Sequence, residues 1–299
     1  MRKCIQFKID GQWLRGACHE PPGANNSPEP GRVGLLFGNS GWLPRSGRGD
    51  LYAHLADALA RDGYWAFRFD MPGLGDSDGD VPADWAELFN MFQMGGHGPF
   101  TCWLAVELKK RYGLEKIILG GHCGSAASSV YAALLDKGGA VSGLMLMEIG
   151  FYAVPRESLA NPARGQPVSP LRNILDRARF VARRLVLKAP GRNVLRAIYR
   201  RGLRAAERLL RMDLPVNSNT RLIEAWRRVM GKGPPTLLIM ARHPSAKPMF
   251  DFMAYLKVDQ QPGITTVTIE GTTHSLLEGH GAEAVGTNCA SWLRKHFPT

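Results

Sequence analysis

The stretch Ile117-Ile118-Leu119-Gly120-Gly121-His122-Cys123-Gly124-Ser125-Ala126 joins a run of apolar, strand-forming residues to a helical pattern over 128–135. Between the two, Gly121-His122-Cys123-Gly124-Ser125 follows the spacing G-x-nucleophile-x-small, with sulfur where a serine oxygen is common. Small residues are needed there because a strand that turns at once into a helix leaves no room for side chains. The residue at the apex is then held exposed in a strained backbone conformation. The amino end of the following helix favours negative charge on that apex, and the Gly124 backbone N–H is the natural first donor to an oxyanion. Cys123 is therefore the candidate nucleophile, and His122 reads as its structural neighbour.

Outward from this turn, apolar segments of strand length recur at Val33–Phe37, 64–69, 116–119, 144–147, 236–240 and 265–269, with helical patterns between most of them. One such helix, Leu51–Arg61, ends just before Gly63. The alternation predicts a mainly parallel sheet covered by helices on both faces, with 3–9 and 13–18 as an antiparallel pair at one edge. Active sites of such sheets lie at the carboxyl ends of the strands. Residues 1–150 and 232–299 read as the core. The alternation breaks over 151–231, which carries helical patterns without a convincing strand and reads as a cap.

The cap holds the charge. The chain of 299 residues has a formal net charge of +12, and residues 171–212 carry thirteen Arg and Lys against Asp176 and Glu207, a local charge of +11. Apolar Leu195, Ile198, Tyr199 and Leu209 form one stripe, and arginines occupy the other positions. Arg183, Arg184, Arg200 and Arg204 are candidates for binding a phosphate or an acidic carrier protein, and a membrane surface is a second acidic partner such a face could take. No nucleic-acid recognition motif accompanies the charge. The five cysteines, 4, 18, 102, 123 and 289, are odd in number and widely spaced, which implies neither a disulfide framework nor a zinc site. No metal or redox cofactor is indicated. No segment approaches the ~20 apolar residues of a membrane span, and a cytoplasmic location is expected.

A nucleophile of this kind needs a base, an acid and a second oxyanion donor. The segment 265–269 runs into Glu270-Gly-Thr-Thr-His274, where a triad in the order nucleophile, acid, histidine places its base. The loop after Val33–Phe37 reads Gly38-Asn39-Ser40-Gly41, making Asn39 and then Ser40 the candidate oxyanion donors. The acid is the gap. The loop after 236–240 contains no carboxylate, so Glu148, just after 144–147, and Asp251, in the next helical pattern, are the substitutes. A thiolate needs less assistance than an alkoxide, so a Cys-His dyad is also open.

The segments Phe37-Gly-Asn-Ser40, 51–70 and Pro72-Gly-Leu-Gly-Asp-Ser-Asp-Gly79 resemble the α/β-hydrolases of the serine aminopeptidase S33 type. Within that superfamily Cys123-Gly-Ser-Ala-Ala-Ser128, with Ser245-Ala-Lys-Pro-Met-Phe250 and Thr273-His-Ser275, is similar to the exosortase A system-associated hydrolases. The resemblance implies an α/β-hydrolase fold with a helical cap insertion, Cys123 as nucleophile and His274 as base. It would put the acid near 243–245, where this chain has none. The cysteine also resembles that of polyhydroxyalkanoate synthases and of thioesterase-like enzymes of assembly lines. The expected function is acyl transfer, either thioesterase or acyltransferase, on an acyl group delivered as a carrier-protein or coenzyme A thioester, or on an ester. The alternatives are a catalytically degenerate binding module, suggested by the missing acid, and a peripheral membrane protein acting through its Arg-rich cap.

Overall fold

A computed structural model of the chain describes residues 1–24, 31–152, 218–230, 233–243 and 246–299. Among them are strands β1 (Arg2–Ile9), β2 (Gln12–His19), β3 (Val33–Phe37), β4 (Trp65–Phe69), β5 (Lys116–His122), β6 (Val141–Met147), β7 (Thr236–Arg242) and β8 (Ile264–Glu270). The helices are α1 (Leu51–Arg61), α2 (Trp85–Gln93), α3 (Gly98–Tyr112), α4 (Gly124–Leu135), α5 (Thr220–Met230), α6 (Lys247–Leu256) and α7 (Gly281–His296). The cap arginines Arg183, Arg184, Arg200 and Arg204 lie outside the described residues.

The strands form one sheet in the order β1-β2-β4-β3-β5-β6-β7-β8. β1 and β2 make an antiparallel hairpin across Asp10-Gly11, and β2 is antiparallel to β4. All remaining pairs are parallel, as the alternation predicts. The central strands β3, β4 and the inner part of β5 are buried throughout, as expected of a parallel sheet covered on both faces. Phe37, Ile118, Met145, Ile239 and Trp292 belong to one core cluster.

The core resumes at Asn219, earlier than position 232. Asn219 caps α5 by accepting from the Leu222 amide at 3.0 Å, and donates to the Gln93 carbonyl at 2.6 Å. Helix α5 buries Leu222, Ile223, Ala225 and Trp226, and the Trp226 ring meets Phe151 edge-on at 5.2 Å. Its buried apolar stripe joins it to the core, although its exposed face carries Arg221, Arg227 and Arg228.

Candidate active site

Strand β5 continues to His122, three residues past the apolar run, because the glycines that lower its strand propensity are required by the turn. A Cβ on Gly120 would lie 2.5 Å from the Phe37 ring, and one on Gly121 would lie 2.2 Å from Ser125 Oγ. Cys123 sits at φ 57°, ψ −115°, a strained conformation for a residue with a Cβ, and α4 begins at the next residue. The turn is pinned from both sides. The Cys123 amide donates to the Met147 carbonyl at 2.9 Å, and the Ala127 amide returns to the Cys123 carbonyl at 3.2 Å. Beneath it the His122 amide donates to the Tyr52 hydroxyl, whose ring stacks on Phe37 at 5.2 Å.

Glu148 follows β6 directly. It adopts φ 50°, is 1% exposed, and its amide donates to the Ile239 carbonyl of β7 at 2.9 Å. This left-handed residue aims its carboxylate along the strand ends. One oxygen accepts from the Ala241 amide, and the other lies 2.9 Å from His274 Nδ1. His274 stands in the loop between β8 and α7. With Nδ1 on Glu148, Nε2 is the ring nitrogen left for Cys123, whose charge the imidazole feels. Burial disfavours the imidazolium, but the bonds to Cys123 and Glu148 and their charges outweigh it and push the His274 pKa up to about 10. His274 and Glu148 thus stand as a hydrogen-bonded pair beside Cys123. Asp251 is not part of it: its carboxylate pairs with Lys247 one turn away on α6, at 2.8 Å, and both side chains are exposed.

On the opposite side of Cys123 lies the loop after β3. Asn39 is buried, and its side chain is fully committed to structure. It donates to Asp70 at 2.7 Å and to the Leu43 carbonyl at 2.9 Å, and accepts from the Met71 amide at 2.7 Å. Ser40 Oγ lies 2.6 Å from His122 Nδ1. Gly124 packs so closely that an added Cβ would be 2.9 Å from Phe92 and 3.7 Å from the Gly41 amide nitrogen. The Gly41 amide nitrogen is thus brought beside Gly124, and Gly41 joins Asn39 and Ser40 as a candidate oxyanion donor. Sequence spacing alone left Gly41 unmarked because a glycine carries no side-chain signal.

Aromatic residues border the same region. Phe89 stacks on Tyr152 at 5.8 Å, and Trp42 meets Trp85 at 4.3 Å with both rings largely exposed. Burial, reinforced by the charges of Cys123 and then Glu148, raises the Tyr152 phenol to about 12. Tyr152 was hidden at the sequence level because it opens the stretch assigned to the cap. Trp103 packs elsewhere, edge-on to Phe7.

A sequence profile of the Alpha/beta hydrolase family matches residues 31–286, and the chain belongs to that family. No curated protein matches it in sequence. Among solved structures it is similar to DcsB in complex with a substrate analogue, at 15% identity and a TM-score of 0.62 over 100% of both chains. It is likewise similar to the alpha/beta hydrolase GrgF from Penicillium sp. sh18, at 17% identity and a TM-score of 0.62 over 100% of both chains. A third is dienelactone hydrolase from Anabaena variabilis, at 13% identity and a TM-score of 0.59, covering 99% of this chain and 98% of that one. At these identities the likeness concerns the fold. Among the described residues, no helix is long and apolar enough to cross a membrane, and no group of three or more His, Cys, Asp and Glu could hold a metal ion.

Proposed function

We propose that the protein is an acyl-transfer hydrolase that forms a covalent acyl-enzyme on Cys123, with His274 as proton carrier and Glu148 as the acid that orients it. The observation that carries this reading is the hydrogen-bonded pair of His274 and Glu148 beside the strained turn at Cys123. Family membership supports hydrolysis as the reaction class.

The chemistry follows from the charges. His274 beside Cys123 takes the thiol proton, giving an imidazolium–thiolate pair. The sulfur attacks the carbonyl carbon of a thioester or ester, and the carbonyl electron pair moves onto an oxygen facing the Gly124 amide and the amides of 39–41. As the tetrahedral centre collapses, the bond to the leaving sulfur or oxygen breaks and His274 Nε2 delivers its proton to it. Acylation removes the negative charge from Cys123, and with it part of what kept the imidazole protonated. His274 then serves as base for the second step: it takes a proton from water or another acceptor as that group attacks the acyl carbon, then returns it to the departing sulfur. Glu148 holds Nδ1 throughout and stabilises the imidazolium each time it forms.

Exchange from one thioester to another is nearly isoenergetic, so a thiol nucleophile suits thioester donors, and Phe89, Phe92 and Tyr152 suit an apolar acyl group. The exosortase-associated and S33-type resemblance, a carrier or coenzyme A donor steered by the arginine-rich segment, and a cytoplasmic setting extend the same proposal. The carrier idea predicts that replacing Arg183, Arg184, Arg200 and Arg204 slows carrier-borne substrates more than small soluble ones. A degenerate binding role drew its force from a missing acid, and Glu148 supplies a carboxylate at the required place.

The test is turnover of short-chain thioesters and p-nitrophenyl esters by wild type, Cys123→Ala and His274→Ala. Both variants should fall to background. Wild-type rates in Cys123→Ala would reject the proposal.

A further inference from the structure

One imidazole ties together three loops at the carboxyl ends of the strands. His122, 4% exposed, receives Ser40 of the β3 loop at Nδ1, while its Nε2 lies against the main-chain carbonyl of His274 in the loop after β8. A carbonyl oxygen can only accept, so Nε2 carries the hydrogen. Nδ1 is then the acceptor, and the Ser40 hydroxyl donates to it. The rings of His122 and His274 stand 4.7 Å apart at 54°.

We propose that His122 is a positioning residue for the reaction: as a neutral Nε2–H donor it anchors the backbone of His274 against the Cys123 turn, and the Ser40 hydroxyl sets the tautomer that makes this possible. The inference rests on the acyl-transfer reading above.

The loop after β8 needs such an anchor. Its other hydrogen bonds close it on itself, with Glu278 accepting from Thr272, Thr273 and Ser275. The His274 side chain is 44% exposed and is held by the Glu148 carboxylate at Nδ1 and by the His122 ring. Fixing its carbonyl to β5 restricts where the imidazole can stand relative to the sulfur. A cation in place of His122 would repel the His274 imidazolium. Burial, then the nearby His274 charge, drives His122 down to about 3 and prevents this. Arg48 acts in the same direction. Because Ser40 belongs to the oxyanion loop, the same contact keeps the oxyanion donors and the proton carrier in register.

The experiment compares His122→Gln, His122→Ala, Ser40→Ala and the double variant Ser40→Ala/His122→Ala. Displacing a reacting group by about 1 Å costs on the order of 10²-fold, so His122→Ala should lose roughly 10- to 100-fold in kcat with KM within about threefold. His122→Gln retains a side-chain N–H and should recover part of the loss. Ser40→Ala, which removes a single hydroxyl, should lose several-fold, and the double variant should be no worse than His122→Ala. The second readout is the pH dependence of Cys123 alkylation by iodoacetamide, which should move in His122→Ala. A merely structural role would lower Tm and leave that profile in place. Wild-type kcat in His122→Ala, or Gln and Ala equally impaired with an unmoved profile, would overturn the proposal. Turnover surviving in Cys123→Ala would instead defeat the acyl-transfer reading, and the alkylation profile reports on His122 in either case.

Discussion

A carboxylate oxygen of Glu148 lies 2.9 Å from His274 Nδ1 across 126 residues of chain. Three local features bring it there. β6 and β7 are parallel neighbours, Glu148 turns out of β6 in a left-handed conformation, and its second oxygen is fixed by the Ala241 amide. Glu148 thus reaches His274 from the strand next to the one that leads into Cys123.

Neutralising this carboxylate should damage catalysis without removing the fold. In Glu148→Gln the amide oxygen can still accept from Ala241, but imidazolium stabilisation is lost, and kcat should fall by about 10²-fold, less than in a serine triad because a thiol needs less help. Asp251→Asn should stay within about twofold of wild type. Steady-state kinetics on the two variants decide between them, and the reverse pattern would reassign the acid.

The raised pKa of His274 makes part of the stability depend on alkaline pH. A histidine whose pKa rises from 6.5 to about 10 on folding contributes stabilisation that is fully present below 6.5 and lost as pH climbs through 10. The Tm gap between wild type and Glu148→Gln should therefore narrow from pH 6.5 to pH 10. The half-exposed imidazole keeps the effect small. A gap independent of pH would contradict the assignment.

Acid should act through other histidines. His19, His97 and His122 are buried, and burial lowers all three, His97 to about 4 and His122 to about 3. In the unfolded chain each takes up a proton near 6.5, so stability falls as pH drops below that value. Urea midpoints between pH 7 and 4.5 should decline, and His97→Gln should flatten the decline by one proton. An unchanged slope in that variant would show that His97 does not titrate on unfolding.

Asn39 is expected to matter through stability. Asn39→Ala leaves Asp70, the Leu43 carbonyl and the Met71 amide each short of a partner, at a cost of about 1–3 kcal/mol by denaturant unfolding. Activity should fall as the loop carrying Ser40 and Gly41 slackens. Wild-type stability would contradict this role.

The parallel sheet, the turn at Cys123 and the placing of His274 were legible in the sequence because each leaves a local mark: apolar periodicity, a small-x-Cys-small spacing, or a histidine after the last strand. The limits of the strands were less legible. β5 runs on through Gly120 and Gly121, and β6 begins at Val141, before its apolar run. Glu148 carried no mark of its own, since a carboxylate after a strand is ordinarily a solvated boundary residue. Its meaning depends on strand order and on one positive φ, neither of which is a local property of sequence. The roles of His122 and Ser40 depend likewise on contacts made across 82 and 152 residues.

The most direct test of the central claim is intact-mass measurement after mixing the protein with a small acyl thioester, followed by peptide mapping. The account predicts one acyl group per chain on Cys123, absent in Cys123→Ala and slow to form in His274→Ala. In wild type the adduct should be lost to water or to an added nucleophile. Cys18 and Cys289, buried and with thiols pushed up to about 12, should remain unmodified. Turnover with no adduct at Cys123 under rapid quench, or an adduct that forms equally in Cys123→Ala, would contradict it.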